Sequence, residues 1–377
     1  MRLLLVAGGI TVPLLVAELV LRLISAAPYP YAVWPPRLHK VFRPDPRILP
    51  GISGESRFWT SAAGLRGDEF SSDQRYRILV FGGSAAECLY LDQDEAWPQI
   101  LQQRLTAATR APVWVGNAAV SGRSSPHHVV QVAHLLPQYP RIDAILLFVG
   151  VNDFLKRLEA GDRYTPDLPQ EELMRWAFFQ RPFGWSVDAT AIARLYARHR
   201  AMLRFRREPL FQDDEGRVYA RWRANRRAAT RLRDELPDLT VALAAYARNL
   251  NAIVDLAQLS GVRVLFVTQP SLWRPGLTSE TRDLLWTGGI GNYRHGKDRE
   301  YYSVEALAAG MSRFNERLLE VCQERGVECI DLAPRIPKDT SVFYDDVHFN
   351  ERGARAVADA LFEAVLPDVA AAVPGLR

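Results

Sequence analysis

Apolar residues fill almost every position from Leu3 to Ile24, LLLVAGGITVPLLVAELVLRLI. At about 1.5 Å per residue, a helix of this length just crosses a bilayer core of roughly 30 Å. Glu18 and Arg22 interrupt the run four residues apart, on one helix face, where each partly neutralises the other. The pattern predicts an uncleaved transmembrane anchor over residues 1–27. A cleaved signal peptide ending near Ser25-Ala26-Ala27 is the competing reading. Arg2 lies on one side of the run and Arg37, Lys40 and Arg43 on the other, so flanking charge does not set an orientation.

Seven prolines between Pro28 and Pro50 exclude regular helix and central strand there. Residues 28–74 therefore read as an extended linker and N-terminal extension. From residue 75 the pattern changes to short β-rich apolar runs alternating with helix-period segments. Strands are predicted at Ile78–Phe81, Val113–Val115, Ala144–Phe148, Val262–Val267 and Glu328–Asp331. Helices are predicted at Pro98–Thr109, His128–Leu136, Thr240–Leu259 and Val304–Glu324, and a last one from Glu351 to Val365 with Asn350 as its cap. Gly261 and Gly326 each follow a helix and precede a strand, the αβ half of a βαβ unit. The alternation predicts a parallel sheet with helices on both faces and ligands beyond the carboxyl ends of its strands. Residues 154–236 lack strand grammar. With Trp176, Phe178, Phe179, Trp185 and Trp222 at helical spacing, they read as a helical insertion, a candidate lid.

Composition narrows the class. The 377 residues are 48% hydrophobic and 24% charged, which excludes disorder for most of the chain. Lys+Arg total 47 against Asp+Glu 43, and a net charge of +4 is too mild to imply nucleic acid. The arginine-rich stretch Arg194–Arg233 reads as a solvated helical face, with contact to an anionic lipid surface as the sharper alternative. Cys88, Cys322 and Cys329 form no CxxC pair, so thiol zinc sites and thioredoxin-type motifs are unsupported; Cys322 and Cys329 can pair in an oxidising compartment. His127, His128 and His134 have no carboxylate at ligand spacing, so no metal and no cofactor is expected.

The candidate chemistry lies in the loops after predicted strands. Gly82-Gly83-Ser84-Ala85-Ala86-Glu87 offers a serine on a tight βα turn and lacks the later glycines of a dinucleotide fingerprint. Ser121-Gly122-Arg123 can turn a backbone N–H toward a ligand, and Asn152 in Gly150-Val151-Asn152-Asp153 can add an amide donor. Asp345 and His348 are three apart, so one loop can set the carboxylate on the imidazole. Singly, each is as well explained by a cap or a turn. Together they supply a nucleophile, oxyanion donors, a base and its orienting acid.

In these four blocks the chain resembles the SGNH hydrolases of the GDSL esterase/lipase superfamily, in order: Ser84 in GGSAAE, Gly122 in NAAVSGRSS, Asn152 in GVND, and Asp345 with His348 in DDVH. The resemblance implies a flavodoxin-like three-layer α/β/α sandwich with a five-stranded parallel sheet, in a hydrolase domain over 75–371. It implies Ser84, Asp345 and His348 as catalytic triad and Ser84, Gly122 and Asn152 as oxyanion hole. Gly83 stands where the family often has Asp. An α/β-hydrolase elbow, GxSxG, would need glycine where Ala86 stands. The family spans esterases of acetylated glycans, lipases, thioesterases and O-acetyltransferases. Removal of O-acyl groups from a carbohydrate or cell-envelope substrate is the leading expectation, with the domain periplasmic or extracellular. Gln269 and Trp273, with Trp286, follow the fourth strand, where they can line the substrate pocket; packing into the core is the equal alternative for each. A non-catalytic binding module would need no paired Asp345 and His348.

Overall fold

Five parallel strands form the centre of the computed structural model, which describes residues 2–24, 29–174, 177–179 and 186–373. They are β1 (Tyr76–Gly82), β2 (Val113–Asn117), β3 (Ala144–Phe148), β4 (Arg263–Val267) and β5 (Glu328–Ile330). Across the sheet they run 2-1-3-4-5, every neighbouring pair parallel. Every residue of β1, β2 and β3 is buried. Strands covered on both faces read as apolar runs rather than as alternation, which is how they show in the sequence.

Helices Trp97–Thr109 and Glu351–Ala372 pack together, and Thr240–Leu259 packs against both Ser125–Leu135 and Val304–Arg325. The chain leaves β1 for β2 and then returns past β1 to β3. Right-handed crossovers therefore put these two helix groups on opposite faces. The order reverses between β1 and β3, and at that switch point a crevice opens beyond the strand ends.

All five predicted strands are found, within two residues at each end. The last helix runs on to Ala372 rather than stopping at Val365, with Pro367 inside it. Asn350 caps it, its Oδ1 accepting from Gly353 N at 3.0 Å. At the helix beginning with Thr240, Asp238 accepts from the Thr240 N–H and hydroxyl.

The stretch read as a linker is instead part of the core in its described portion. Strands His39–Phe42 and Ser56–Trp59 pair as an antiparallel hairpin, and Trp34, Leu38, Phe42, Leu49 and Phe58 are buried. The prolines shape turns between these apolar anchors rather than keeping the chain extended. Cys322 and Cys329 form a disulfide between the end of a helix and β5.

Residues Arg2–Ile24 form a helix. The side chains of residues 2–8 and 10 lie outside the described set, and among the described residues no helix is long and apolar enough to cross a membrane. The expected Glu18–Arg22 pair is present at 2.6 Å. Glu18 also accepts the N–H groups of Ala191 and Ile192, at 2.8 and 3.0 Å, and so holds the amino end of helix Ala191–Phe205. The Ser25-Ala26-Ala27 site, Trp176 and Trp185 lie outside the described residues.

The insertion is mainly helical, with helices Ala191–Phe205 and Arg217–Arg227, but it also holds two short strands. Arg231–Arg233 pairs in parallel with Glu300–Tyr302, and Phe178–Phe179 pairs with Tyr31–Ala32. Runs of two or three residues carry no alternation to read. The arginine stretch is not uniformly solvated either: Arg223 and Arg226 are buried.

Candidate active site

The carboxyl ends of β1, β2 and β3 and the loop before the last helix bring the predicted residues together. Ser84 opens a one-turn helix directly after β1. Its Oγ lies 2.6 Å from His348 Nε2. His348 Nδ1 lies 2.7 Å from Asp345 Oδ2, the bond that fixes the imidazole tautomer. Asp345 Oδ1 also accepts the backbone N–H groups of Val347 and His348, at 3.0 and 2.9 Å. The three-residue spacing thus forms a closed loop in which the carboxylate caps its own turn.

The electrostatics follow from burial and pairing. Burial opposes the positive charge of His348, but Asp345 outweighs it, by charge and by hydrogen bond, and raises the imidazole pKa. Burial alone would raise Asp345; the charge and hydrogen bond of His348 prevail and hold it below the ordinary value. For the adjacent Asp346 burial dominates and the Asp345 charge adds to it, so its pKa is raised.

The oxyanion candidates follow β2 and β3, Gly122 in a loop and Asn152 in the first turn of helix Val151–Ala160. Gly122 has φ +73° and open space where a Cβ would be. Among the described residues, the N–H groups of Ser84 and Gly122 enter no internal hydrogen bond. Asn152 donates one amide hydrogen to Arg123 O at 2.7 Å, leaving the second for a ligand. A Cβ on Gly83 would stand 2.2 Å from Asn152 Nδ2. In this chain the missing Cβ at Gly83 leaves the room that the Asn152 amide occupies beside the nucleophile turn.

Trp273 and Gln269 do not line the pocket. Trp273 is fully buried and its indole donates to Asp346 Oδ1 at 2.8 Å. Gln269 is buried and bonded to Asn315 and Pro270. Both face inward because the loop after β4 is fastened to Asp346 as core. Trp286, on the same loop, does reach the site: its indole donates to Asp345 Oδ2 at 2.9 Å, and its ring stacks on Trp222 of the insertion at 4.4 Å.

Sequence reasoning missed three supports. Asp346 accepts from Trp286 N and from the Thr287 hydroxyl, at 2.8 and 2.7 Å. Arg223 donates to the carbonyls of Tyr344, Leu284 and Ile48, pinning the catalytic loop to the insertion and the N-terminal segment. Glu87 hydrogen-bonds the Ser121 hydroxyl beside Gly122; burial pushes its pKa up to about 7 against that bond. An arginine run offers no signal that two members point inward.

A cleft of about 740 Å³ adjoins the oxyanion candidates, its wall including Gly122, Asn152, Lys156, Tyr164, Asn249 and Arg294. His127 and His128 are buried in the neighbouring helix, hydrogen-bonded to Ser124 and Gln131, and burial lowers them to about 2 and about 4.

The GDSL-like lipase/acylhydrolase family matches residues 80–356, and the chain belongs to it. It is a hydrolase of that GDSL/SGNH family. No curated protein matches the chain. Among solved structures it is similar to Axe2, an acetylxylan esterase from Geobacillus stearothermophilus, as a catalytic mutant. That similarity has 10% identity and a TM-score of 0.44, covering 78% of this chain and 96% of that one. It is also similar to a lipase/acylhydrolase from Enterococcus faecalis, at 13% identity and TM-score 0.40, covering 78% and 96%. A member of the lipolytic G-D-S-L family from Veillonella parvula DSM 2008 gives 14% identity and TM-score 0.41, over 76% and 97%.

Proposed function

We propose that this protein is a serine esterase that removes O-acyl groups, acetyl foremost, from a carbohydrate or cell-envelope substrate through an acyl-enzyme. The observation that carries the reading is the unbroken chain from Ser84 Oγ through His348 to Asp345, at 2.6 and 2.7 Å. In the proposed reaction His348 takes the serine proton as Oγ attacks the ester carbonyl. The N–H groups of Ser84 and Gly122 and the Asn152 amide receive the oxyanion. The imidazolium, stabilised by Asp345, returns its proton to the departing alcohol. Water, activated by the same His348, then releases the acid and restores Ser84.

A carbohydrate substrate is supported by the cleft, whose wall mixes amides and charged groups with the Tyr164 ring. We place the protein at a membrane through helix Arg2–Ile24, with the catalytic domain on the oxidising side. The support is the exposed apolar series Val12, Leu14, Leu15, Val16, Leu19, Val20, Leu23 and Ile24, together with the Cys322–Cys329 disulfide.

The test is acetate release from O-acetylated glycans and from p-nitrophenyl acetate by wild type and Ser84→Ala. The proposal expects free acetate from wild type alone. Acetate retained on an added glycan acceptor would make the protein a transferase. Equal release by the mutant would remove Ser84 from the chemistry.

A further inference from the structure

The segment that carries Gly122 is fastened at its base. Ala118 N and Val120 N donate to Val80 O and Gly82 O of β1, at 2.8 and 3.1 Å, and Asn117 Nδ2 donates to Ala86 O at 2.8 Å. Beyond Val120 the support changes. Gly122 has a left-handed backbone and no atom within 4 Å of where a Cβ would stand, so no packing on that side sets its position. It lies instead between two hydrogen-bonded neighbours. On one side Arg123 O accepts from the Asn152 amide at 2.7 Å. On the other, Ser121 donates its hydroxyl to Glu87 Oε2, and its backbone N–H acts on the same carboxylate.

Glu87 is the last residue of the one-turn helix Ser84–Glu87, which begins with the nucleophile. Its side chain is buried. Arg66 braces that turn from the N-terminal segment, its guanidinium donating to the carbonyls of Glu87, Cys88 and Leu91 at 2.5, 2.6 and 2.8 Å. A carboxyl shut in the core is unfavourable unless it accepts hydrogen bonds, and Ser121 supplies them. Breaking the pair leaves a buried polar group unsatisfied.

We infer that Glu87 is a positioning residue: through Ser121 it holds the Gly122 N–H in place for the oxyanion, from the same helical turn that carries Ser84. The inference rests on the esterase reading. Nucleophile and oxyanion donor are thereby fixed to one another and not separately to the scaffold. Glu87 acts through Ser121 and takes no part in proton transfer.

The charge of Glu87 gives the inference a second readout. Two groups that carry positive charge face its carboxylate, Arg66 from the N-terminal segment and, when protonated, His348 from the catalytic loop. Cys88, Tyr90 and Tyr219 also face it, and burial raises all three, so they stay neutral. Glu87 in turn adds to the rise of the His348 pKa, after Asp345 and Asp346. An amide in its place removes negative charge beside the imidazole, destabilises the imidazolium and lowers that pKa.

The experiment measures p-nitrophenyl acetate turnover by the full chain across pH for wild type, Ser121→Ala, Glu87→Gln and the double variant, with urea midpoints to confirm the fold. Ser121→Ala is expected to lower kcat by about tenfold to a hundredfold, short of the loss of a whole oxyanion donor, with KM little changed. Glu87→Gln lowers it less, because its amide oxygen still accepts from Ser121. The double variant falls no further than Ser121→Ala, because both changes break one link. In Glu87→Gln the acid limb of kcat/KM moves to lower pH, whereas loss of a residue that only packs the core would leave the limb in place. Losses that multiply in the double variant, a change confined to KM, or an unmoved limb overturn the inference, while wild-type turnover keeps the esterase reading. No turnover by wild type overturns that reading, and this inference with it.

Discussion

The Trp286 indole donates to Asp345 Oδ2 at 2.9 Å, and its ring plane lies within 3° of the His348 imidazole. The Asp345 carboxylate therefore accepts from four N–H groups: Val347, His348 backbone, His348 ring and Trp286. Trp286→Phe keeps a ring and removes one donor. Asp345 then binds the imidazolium more strongly, so the acid limb of kcat/KM moves to higher pH. The rate falls by about 3–10-fold, the net worth of one hydrogen bond. A pH–rate profile of the variant checks this; a lower rate with an unmoved limb would leave Trp286 only a packing role.

His348 must be neutral to take the serine proton, and its pKa is raised above the ordinary imidazole value of about 6.5. Activity is therefore expected to be lost as pH falls through that raised value. Asp345→Asn removes the cause, so the imidazole pKa drops, and kcat falls by about 10³–10⁴ as the tautomer is no longer fixed. Stability runs with the opposite sign for the two partners. The raised His348 contributes stability that is full below about 6.5 and lost as pH rises through its folded pKa. The lowered Asp345 contributes above about 3.9 and is lost as pH falls through its folded pKa. Urea midpoints across pH for wild type and Asp345→Asn report both.

Asn152→Ala removes the proposed oxyanion donor and its bond to Arg123 O. The expected loss is about 10²–10³ in kcat with KM little changed, because the donor acts on charge that develops in the transition state. Steady-state kinetics on p-nitrophenyl acetate measure it, and a change confined to KM would reassign the residue to ground-state binding.

Arg223 is buried and serves three carbonyls from separate segments. Arg223→Met leaves those acceptors without their charged donor, at a cost of about 3–5 kcal/mol. Urea denaturation should show the midpoint falling, with activity declining alongside because Tyr344 O, next to Asp345, is one of the three. A midpoint within error of wild type would show that the insertion does not brace the catalytic loop.

The strands of the sheet were legible because a strand buried on both faces is a short apolar run bounded by turns, and β1 and β3 are of that kind. Ser84, Gly122, Asn152, Asp345 and His348 could be located because each falls in a loop just beyond a strand or before a capped helix, where local sequence fixes local geometry. The supports were not legible. Arg223 and Asp346 act across separations of 59 to 175 residues, and tertiary packing alone decides which member of a polar or aromatic series turns inward. The same physics explains the errors. Trp273 and Gln269 follow β4 as a pocket residue would, yet the Asp346 carboxylate draws the Trp273 indole into the core. Prolines between Pro28 and Pro50 signal the absence of helix, and they carry no information about whether the intervening Trp34, Phe42 and Leu49 find a core to join.

The central claim is that Ser84 is a nucleophile activated by His348. The most direct test treats the full chain with a fluorophosphonate probe and maps the adduct by peptide mass spectrometry, with Ser84→Ala and His348→Ala in parallel. Stoichiometric modification of Ser84 is expected in wild type, none in Ser84→Ala, and labelling slowed by several orders of magnitude in His348→Ala. Modification at another serine, or equal labelling of Ser84 without His348, would contradict it.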